Sequence, residues 1–252
     1  MNIEEHVALS RYTTLGTGGP ARAFARPESA AGVEELLRWA AERGLAVATV
    51  GLGSNLLVAD DGVDALVLRL AGDLTRVEVD GDLLGAGGGA ANAVCLHRAR
   101  VATADGCDWC TPAELGLAYR HSDLRHGQVV VAAELRLAPG DPEAIKARVR
   151  QLNAERKAAQ PTNRRTFGSV FKNPEHELSA GRMLEACGLK GHRVGGAQIS
   201  PKHANFIENA GGARSAHALA LMQEARRRAL EQFGVELRHE VELLGPIGPP
   251  PL

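Results

Sequence analysis

Glycine-rich loops between short apolar segments constrain the fold of this chain more than any other feature of its sequence. The chain has 252 residues, of which 29 are glycine, and the glycines cluster before residue 90. Aromatic residues make up only 4%, so the core must consist mostly of alanine, valine and leucine. Short apolar runs separated by glycine favour strands and short helices joined by tight loops. We therefore expect a glycine-rich α/β region at the front of the chain.

Local patterns predict the elements of this front region. A helix is expected over 29–44, because Ser29 can cap it, an apolar stripe runs along it and Gly44 can end it. The glycine-dense stretch 85–89 leads into a short predicted helix over 90–100. The other predicted elements are strands over 45–50, 65–70 and 129–137 and a hairpin with an Asp-Gly turn over 77–84.

The sequence pattern changes in the back of the chain, where longer helices and loops rich in polar residues are predicted. Asp141 and Pro142 begin a helix whose predicted apolar face carries Ile145, Val149 and Leu152. The other predicted elements are helices over about 179–187 and 215–233, and a final strand over 235–244 with Glu240 on its polar face. These patterns predict an α+β fold in which a smaller α+β domain follows the front region.

The charge balance excludes several classes of protein. The formal net charge is -1 and basic and acidic residues are interleaved, whereas a nucleic-acid-binding protein would carry a basic face. No apolar run reaches the length that spans a membrane, and the first residues lack the apolar core of a signal peptide. We expect a cytoplasmic, monomeric protein with no nucleic-acid or membrane partner.

The pair Cys107 and Cys110 has the spacing of a redox pair or of half a zinc site. A zinc site needs further ligands at suitable spacing, which the sequence lacks, and a thioredoxin-like pair follows a strand and starts a helix. Here an Asp-Gly turn precedes Cys107 and Thr111-Pro112 follows Cys110. We interpret the two cysteines as incidental thiols in a loop and expect no metal site.

Two loops in the front region offer closely spaced backbone N–H donors. Gly51-Leu52-Gly53-Ser54-Asn55 follows a predicted strand, and its glycines let the backbone approach a ligand. The stretch 14–20, Thr-Leu-Gly-Thr-Gly-Gly-Pro, has the same character. Neither is a dinucleotide-binding G-x-G-x-x-G, because no third glycine opens a helix. Together the two loops favour a nucleotide ligand that carries a pyrophosphate.

Two polar loops in the back domain combine groups that can carry chemistry. Residues 168–174, Gly-Ser-Val-Phe-Lys-Asn-Pro, hold a hydroxyl, a cation and an amide, and the alternative is an ordinary turn. Residues 195–206 add a second loop with Lys, His, Asn and Gln. In the front region Arg120 suits a carboxylate or phosphate, unless it is a surface arginine paired with Asp123.

Taken together, these motifs resemble the UDP-N-acetylenolpyruvoylglucosamine reductase family, also called UDP-N-acetylmuramate dehydrogenases. The resemblance runs from about Tyr12 to Gly245 and rests on the order of several pieces. The pieces are 15–20, 51–58, 119–122, 168–174, 181–185, 188–191 and 202–207. The short connection from Tyr119 to Ser169 is similar to that of the family's compact subtype. The resemblance implies a FAD-binding region over 1–140, a substrate-binding domain over 141–245 and a flexible tail over 246–252.

The resemblance also implies a reaction and residues for it. In peptidoglycan synthesis NADPH reduces the bound FAD, which passes hydride to UDP-N-acetylglucosamine enolpyruvate and yields UDP-N-acetylmuramate. By resemblance Ser169 is the proton donor, and Arg120 and Glu240 stabilise charge on the substrate carboxylate. Glu240 can help only if it is protonated or shares a proton in a dry site. The binding residues that the resemblance implies are Gly51, Gly53, Ser54, Asn55 and Leu56 for FAD, and Tyr119, Lys172 and Asn173 for the substrate.

The chain departs from the family pattern between Arg100 and Cys107. Members carry a long segment here, with a glycine-rich loop and an Asn-Ala-Gly stretch that contact the flavin. In this chain the predicted helix ends at Arg100 and strand-like Val101 follows at once, which we interpret as an excised segment. Its loss would remove backbone donors and a wall against the flavin ring.

Three hypotheses follow for such a shortened chain. The first is the FAD- and NADPH-dependent reductase, in which every proposed catalytic side chain survives. The second is a flavin-free UDP-sugar-binding remnant of the family. The third is another flavin oxidase of the same superfamily. The motifs at 168–174 and 202–207 argue against it, because they belong to the reductase's substrate domain.

Overall fold

The chain folds into strands and helices, and a computed structural model describes residues 2–87, 95–118 and 121–247. Up to residue 141 the regular elements are β1 (Ile3–Ala8), β2 (Pro20–Ala25), α1 (Ala30–Ala41), β3 (Ala46–Thr49), β4 (Leu56–Val58), β5 (Val63–Leu68), β6 (Val77–Asp80), β7 (Leu83–Gly87), β8 (Leu96–Ala102), β9 (Cys107–Cys110) and β10 (Val129–Arg136). The later ones are α2 (Pro142–Ala159), β11 (Thr166–Ser169), α3 (Ala180–Ala186), β12 (Arg193–Val194), β13 (Ala197–Ile199), β14 (Phe206–Asn209), α4 (Ser215–Phe233) and β15 (Glu242–Leu244). None of the described helices is both long and apolar enough to cross a bilayer.

The chain divides into two compact units, each of which is assembled from three separate stretches. The first unit comprises residues 1–7, 21–51 and 64–141, and the second comprises 8–20, 52–63 and 142–252. The boundary after Asp141 lies where the sequence predicts one, whereas 8–20 and 52–63 were expected in the front domain. The assignment of the ranges 1–140 and 141–245 to flavin and substrate stays a prediction.

In the first unit α1 is the helix that the sequence predicts. The hydroxyl of Ser29 accepts a hydrogen bond from the Gly32 N–H, and the apolar stripe of Val33, Leu36, Leu37 and Ala40 is buried. The helix packs against β3 of a four-stranded sheet with the order β1-β2-β5-β3, and against β8 and β10 of a second sheet. Its buried stripe therefore helps to form one core with residues of both sheets.

The second sheet of this unit is antiparallel, with the order β6-β7-β10-β8-β9. The predicted hairpin is confirmed, since β6 and β7 pair across a turn in which Gly81 has a φ of 61°. Arg98 on β8 binds Glu134 on β10 through two hydrogen bonds of 2.6 and 2.9 Å. The guanidinium of Arg98 also lies 4.3 Å from the ring centre of Trp109 on β9. The contacts of Arg98 therefore help to hold β8 against its two neighbouring strands, β9 and β10.

The helix predicted over 90–100 is wrong for its described part, because Leu96–Ala102 form β8. Register shifts between β8 and β10 interrupt the two-residue period, so Leu96 and Ala99 are both buried although they lie three residues apart, as on a helix. The turn between β8 and β9 is closed by a hydrogen bond from the Thr103 N–H to the Gly106 carbonyl. The abrupt helix-to-strand junction expected after Arg100 is therefore contradicted, and residues 100–107 belong to a regular hairpin.

The second unit is built around an antiparallel sheet with the order β11-β14-β13-β12. The helix α4 packs against β12 and β13, and α3 packs against α4. The core includes Phe167, Ile199, Leu221 and Leu237, which are fully buried. A separate parallel pair joins β4, from residues 52–63, to β15 near the end of the described chain.

Four predictions for the rest of the chain need correction. The helix α2 forms as predicted, but its apolar residues Ile145, Val149 and Leu152 are 52%, 50% and 46% exposed. The predicted strand over 235–244 is regular only in β15, although Leu237 and Val241 are buried as its alternation requires. The tail is not wholly flexible, because Ile247 packs against the core of the second unit. The cysteine pair lies in the strand β9 instead of a loop, and both thiols are free.

Candidate active site

The predicted catalytic Ser169 lies at the end of β11, where the strand departs from regular pairing. The register between β11 and β14 shifts between Thr166 and Ser169. In this irregular stretch Gly168 has a φ of +84°, and a side chain there would lie 3.0 Å from the carbonyl oxygen of Ser54. Glycine therefore lets β11 bulge against the loop that contains Ser54. The side chain of Ser169 is half-buried at this point.

Asn205 holds the backbone that follows Ser169. Its Oδ1 accepts a hydrogen bond from the Phe171 N–H and its Nδ2 donates one to the Phe171 carbonyl, both at 2.9 Å. Its own carbonyl accepts a bond from the Val170 N–H. Because the Asn205 side chain is only 5% exposed, these bonds have little competition from water. Sequence reasoning missed this role, although an amide within the apolar surroundings of residues 204–207 was a usable signal.

Main-chain hydrogen bonds join the segment that contains Glu240 to the segment that follows Ser169. The Glu240 N–H donates to the Val170 carbonyl at 2.8 Å, and the Lys172 N–H donates to the Arg238 carbonyl at 2.9 Å. The carbonyl of Glu240 in turn accepts a bond of 3.1 Å from Nδ2 of Asn55. The structure therefore brings together the segments that carry Ser169, Glu240 and Asn55, which are far apart in the sequence.

The predicted flavin loop divides between the two units. Gly51 lies in the first unit, is exposed, and a side chain there would meet no atom within 4 Å. Gly53 lies in the second unit at a φ of +65°, where a side chain would collide with the carbonyl oxygen of Tyr12. This glycine permits a close approach of two protein segments, whereas the sequence had indicated an approach to a ligand. Ser54 is exposed, and Leu56 begins β4 opposite Glu242.

The other predicted substrate residues have different outcomes. Asn173 accepts a bond from the Ala180 N–H through Oδ1 and, with Ser179, helps to begin α3. Lys172 is half-buried. Tyr119 and Arg120 lie outside the described residues. The structure therefore gives Asn173 a structural role and leaves its contact with substrate as a prediction.

His203 in the second polar loop is a packed residue. Its ring lies against Gly181, where a side chain would come within 2.6 Å of Cε1, and meets the Phe206 ring edge-on at 5.0 Å. Burial lowers the pKa of His203, and the nearby charge of Lys190 lowers it further. The imidazole is therefore held neutral and its Nδ1 accepts a bond from the Asn205 N–H.

A cationic groove opens beside the bulge in β11. It has a volume of about 410 Å³, and the described residues around it include Ser54, Gly168, Arg156, Lys157 and Arg164. No described residue that lines the groove carries a carboxylate. Sequence reasoning did not single out these cations, which lie in the last turn of α2 and in the loop after it.

Comparison with known proteins assigns both parts of the chain. The FAD binding domain family matches residues 21–106, and the C-terminal domain of UDP-N-acetylenolpyruvoylglucosamine reductase matches residues 160–244. A UDP-N-acetylenolpyruvoylglucosamine reductase of Anaeromyxobacter dehalogenans is 41% identical, over 96% of this chain and 85% of that protein. The chain belongs to the UDP-N-acetylenolpyruvoylglucosamine reductase family.

Further members of the reductase family agree with this assignment. The enzyme from another strain of A. dehalogenans is 40% identical over 94% of this chain and 84% of its own length. The crystal structure of the reductase from Thermus caldophilus superposes with a TM-score of 0.82 at 32% identity, covering 97% of this chain and 99% of that one. The predicted α+β fold is thereby confirmed.

The family alignments also bear on the shortened segment. The alignment with the first relative runs over 281 positions, more than the 252 residues of this chain. That reductase therefore has residues that this chain lacks. The helix-to-strand junction that had indicated a gap at 100–107 is absent from the described residues, and residues 88–94, between β7 and β8, lie outside them.

Proposed function

We propose that the chain catalyses the NADPH-dependent, FAD-mediated reduction of UDP-N-acetylglucosamine enolpyruvate to UDP-N-acetylmuramate in peptidoglycan synthesis. Membership of the reductase family and the match of a FAD binding domain to residues 21–106 support this proposal. The structural observation that carries it is the convergence of Ser169 and Glu240. Their segments are joined by the bond from the Glu240 N–H to the Val170 carbonyl.

The described residues fit the diphosphate of a flavin dinucleotide. Ser54 offers an exposed hydroxyl, and the groove beside it presents cations without a carboxylate. We propose that Ser54 and the backbone of Gly51, Gly53 and Asn55 hold FAD, with Leu56 fixing the end of this loop. When bound, the flavin supplies hydride transfer from the nicotinamide to the enolpyruvyl carbon.

Charge control on the substrate is the task of the side chains around Ser169. Addition of hydride to an enol ether conjugated to a carboxylate builds negative charge on that carboxylate, and we assign Arg120 and the protonated form of Glu240 to stabilise it. The hydroxyl of Ser169 then donates a proton to the adjacent carbon. Serine is a weak acid, so this step requires a fixed position, which the Asn205 hydrogen bonds to Phe171 provide.

Binding of the UDP-sugar is assigned to Tyr119, Lys172 and Asn173. In this proposal Lys172 meets a phosphate, while Asn173 keeps its bond to the Ala180 N–H. The preference for NADPH, the monomeric state and the cytoplasmic location stay predictions.

The visible absorption spectrum of the purified protein tests the cofactor assignment. An oxidised-flavin spectrum in near-stoichiometric amount is expected, and NADPH should bleach it under anaerobic conditions. A colourless protein that also fails to take up added FAD would contradict the proposed reduction and favour the flavin-free UDP-sugar-binding remnant.

The role of Ser169 is tested by separating the two half-reactions. Ser169→Ala should slow reoxidation of the reduced flavin by the enolpyruvyl substrate by at least about a hundredfold, while leaving reduction by NADPH nearly intact. Ser179→Ala is the control, because it removes a serine hydroxyl from the N-terminus of α3 in the same unit. Stopped-flow absorbance measures both steps, and equal effects of the two substitutions would contradict the assignment.

A further inference from the structure

Asn55, the last residue of the predicted flavin loop 51–55, makes two hydrogen bonds to the short segment that carries Glu240. Its side-chain Nδ2 donates to the carbonyl of Glu240 at 3.1 Å, and its main-chain carbonyl accepts from the N–H of Glu242 at 3.1 Å. The parallel pairing of β4 with β15 begins at the next residue, where Leu56 lies opposite Glu242. Asn55 therefore holds this segment on both sides of the buried Val241.

These two hydrogen bonds differ in what they require of residue 55. The bond from the Glu242 N–H uses a main-chain carbonyl, which any residue would supply in a parallel pair of strands. The bond to the Glu240 carbonyl requires a side chain that carries an N–H donor at the right distance from the backbone. Support of β15 alone therefore does not explain why an asparagine stands here.

The other hydrogen-bonding group of the Glu240 main chain is bound by the segment that follows Ser169. The Glu240 N–H donates to the carbonyl of Val170 at 2.8 Å. Because both the N–H and the carbonyl of Glu240 are bound, the peptide units on either side of it have a fixed orientation, and so does its Cα–Cβ bond. The half-buried side chain of Glu240 therefore starts from a point that Asn55 and Val170 determine together.

The flavin loop is itself anchored in the second unit. The carbonyl of Gly53 accepts a bond of 3.0 Å from the Thr14 N–H, and the Thr14 hydroxyl lies 3.1 Å from the same oxygen. The bulge at Gly168 lies so close to the carbonyl oxygen of Ser54 that a side chain at residue 168 would come within 3.0 Å of it. A loop that is fixed in this way can set the position of a residue bound to it.

We propose that Asn55 is a positioning residue whose side-chain amide sets the place of Glu240 relative to the flavin loop. The proposal rests on the proposed function, in which the backbone of this loop holds FAD and the carboxyl of Glu240 stabilises charge on the substrate carboxylate. It gives the side chain of Asn55 a task of its own, which is to join the part of the site that meets the cofactor to the part that meets the substrate. Position matters here, because a displacement of about 1 Å in an active site can cost about a hundredfold in rate.

The two half-reactions, followed by anaerobic stopped-flow absorbance on the whole chain, separate positioning from cofactor binding. In Asn55→Ala we expect reoxidation of the reduced flavin by the enolpyruvyl substrate to slow about tenfold, while flavin content and reduction by NADPH stay close to the wild type. The control is Asn163→Ala, which removes an exposed asparagine of the same unit and should behave as the wild type in both steps. Loss of flavin from Asn55→Ala, or equal slowing of both steps, would overturn the proposal.

A double-mutant cycle with Glu240→Ala shows whether Asn55 acts through Glu240. Glu240→Ala alone should slow reoxidation about a hundredfold, because the substrate carboxylate loses a group that stabilises its charge. Adding Asn55→Ala should then slow this step less than about twofold further, since the carboxyl that Asn55 positions is already absent. A further tenfold loss in the double variant would mean that the two residues act independently, and it would refute the positioning role.

Hydrogen–deuterium exchange tests the link between the two segments without flavin or turnover. Mass spectrometry of peptides that cover residues 238–244 should show faster exchange in Asn55→Ala than in the wild type and in Asn163→Ala, because the segment has lost one of its hydrogen bonds. Unchanged exchange in these peptides would overturn the proposal. Thermal unfolding of each variant identifies any change that comes from misfolding.

These measurements also distinguish failure of this proposal from failure of the proposed function. A yellow, active wild type in which the two substitutions multiply would refute the positioning role and leave the reductase standing. A colourless wild type that takes up no FAD would refute the reductase and, with it, the catalytic task of Asn55. The exchange experiment would then still show whether Asn55 holds the segment of Glu240.

Discussion

Two regions of the second unit use polar side chains in opposite ways. On the outer face of α4, Arg227 binds Glu224 and Glu231, with nitrogen–oxygen distances of 2.6 Å, and every cation has a counter-ion close by. In the groove beside β11, Arg156 and Arg164 have none among the described residues. On α4 the opposite charges pair with one another and stabilise the helix, whereas the cations of the groove produce a positive potential that can attract an anionic ligand. Whether an arginine has a carboxylate partner in the protein, more than the fact that it is an arginine, therefore indicates whether it supports the fold or can bind a ligand.

The strongest test of internal pairing is Asn205. Asn205→Ala leaves the buried N–H and carbonyl of Phe171 without partners, so we expect a loss of about 2–4 kcal/mol in the free energy of unfolding. Urea denaturation followed by circular dichroism measures it. Asn163→Ala is the control, because Asn163 is exposed, and it should cost under about 0.5 kcal/mol. Similar costs for both variants would show that the Asn205 hydrogen bonds add no net stability.

Asp60 offers a second, smaller test. Its Oδ1 accepts a bond of 2.9 Å from the Ser215 N–H and its Oδ2 one of 3.0 Å from the Ala216 N–H, at the N-terminus of α4. Asp60→Ala should lower stability by about 1–2 kcal/mol, because two helix N–H groups lose their acceptor. Thermal unfolding measures the change, and the exposed neighbour in Asp61→Ala should behave as the wild type. A larger loss in the control would contradict this role.

The paired face of α4 predicts a pH dependence. Hydrogen bonds from Arg227 and then Arg228 lower the pKa of Glu224 from 4.5 to about 2. Because the folded pKa lies below the unfolded one, the stabilisation is complete above pH 4.5 and is lost as the pH falls towards 2. Glu224→Gln should lower the free energy of unfolding by about 1 kcal/mol at neutral pH, and it should make that free energy depend less on pH between 5 and 2. Unfolding measured from pH 5 to 2 that is equally steep in both proteins would contradict the prediction.

The groove cations should have the smallest effect on stability. Arg156→Gln and Arg164→Gln remove no ion pair with any described residue, so we expect the free energy of unfolding to stay within about 0.5 kcal/mol of the wild type. A clear loss of stability in the ligand-free variants would mean that these arginines support the fold and would remove the contrast with α4.

The sequence predicted elements better than it predicted their surroundings. The helices α1 and α2 both show an apolar stripe, yet Leu37 of α1 is 3% exposed and Val149 of α2 is 50% exposed. Periodicity reports which face of a helix is apolar, whereas burial depends on what the rest of the chain places against that face. For the same reason the sequence pattern placed residues 52–63 in a front region over 1–140, whereas these residues cluster with the second unit.

In the candidate site, too, the sequence predicted individual residues better than their contacts. Ser169, Glu240 and Asn55 were chosen by resemblance, and the structure brings their segments together through main-chain hydrogen bonds that no local pattern encodes. A bulge defeated the helix prediction for Leu96–Ala102, since an irregular ladder imitates a helical period. The Asn205 hydrogen bonds and the groove cations were missed because their roles depend on partners more than thirty residues away or on the absence of partners.

The parallel pair of β4 and β15 sets an order for synthesis of the chain. Leu57 and Val58 of β4 are fully buried in the finished protein, and the strand pairs with Leu243 and Leu244 of β15. A growing chain exposes β4 early and makes its partner only after α4 has been translated. The apolar strand therefore lacks its partner during most of the folding of a nascent chain, and we expect chains truncated before Glu242 to aggregate more readily than the whole chain.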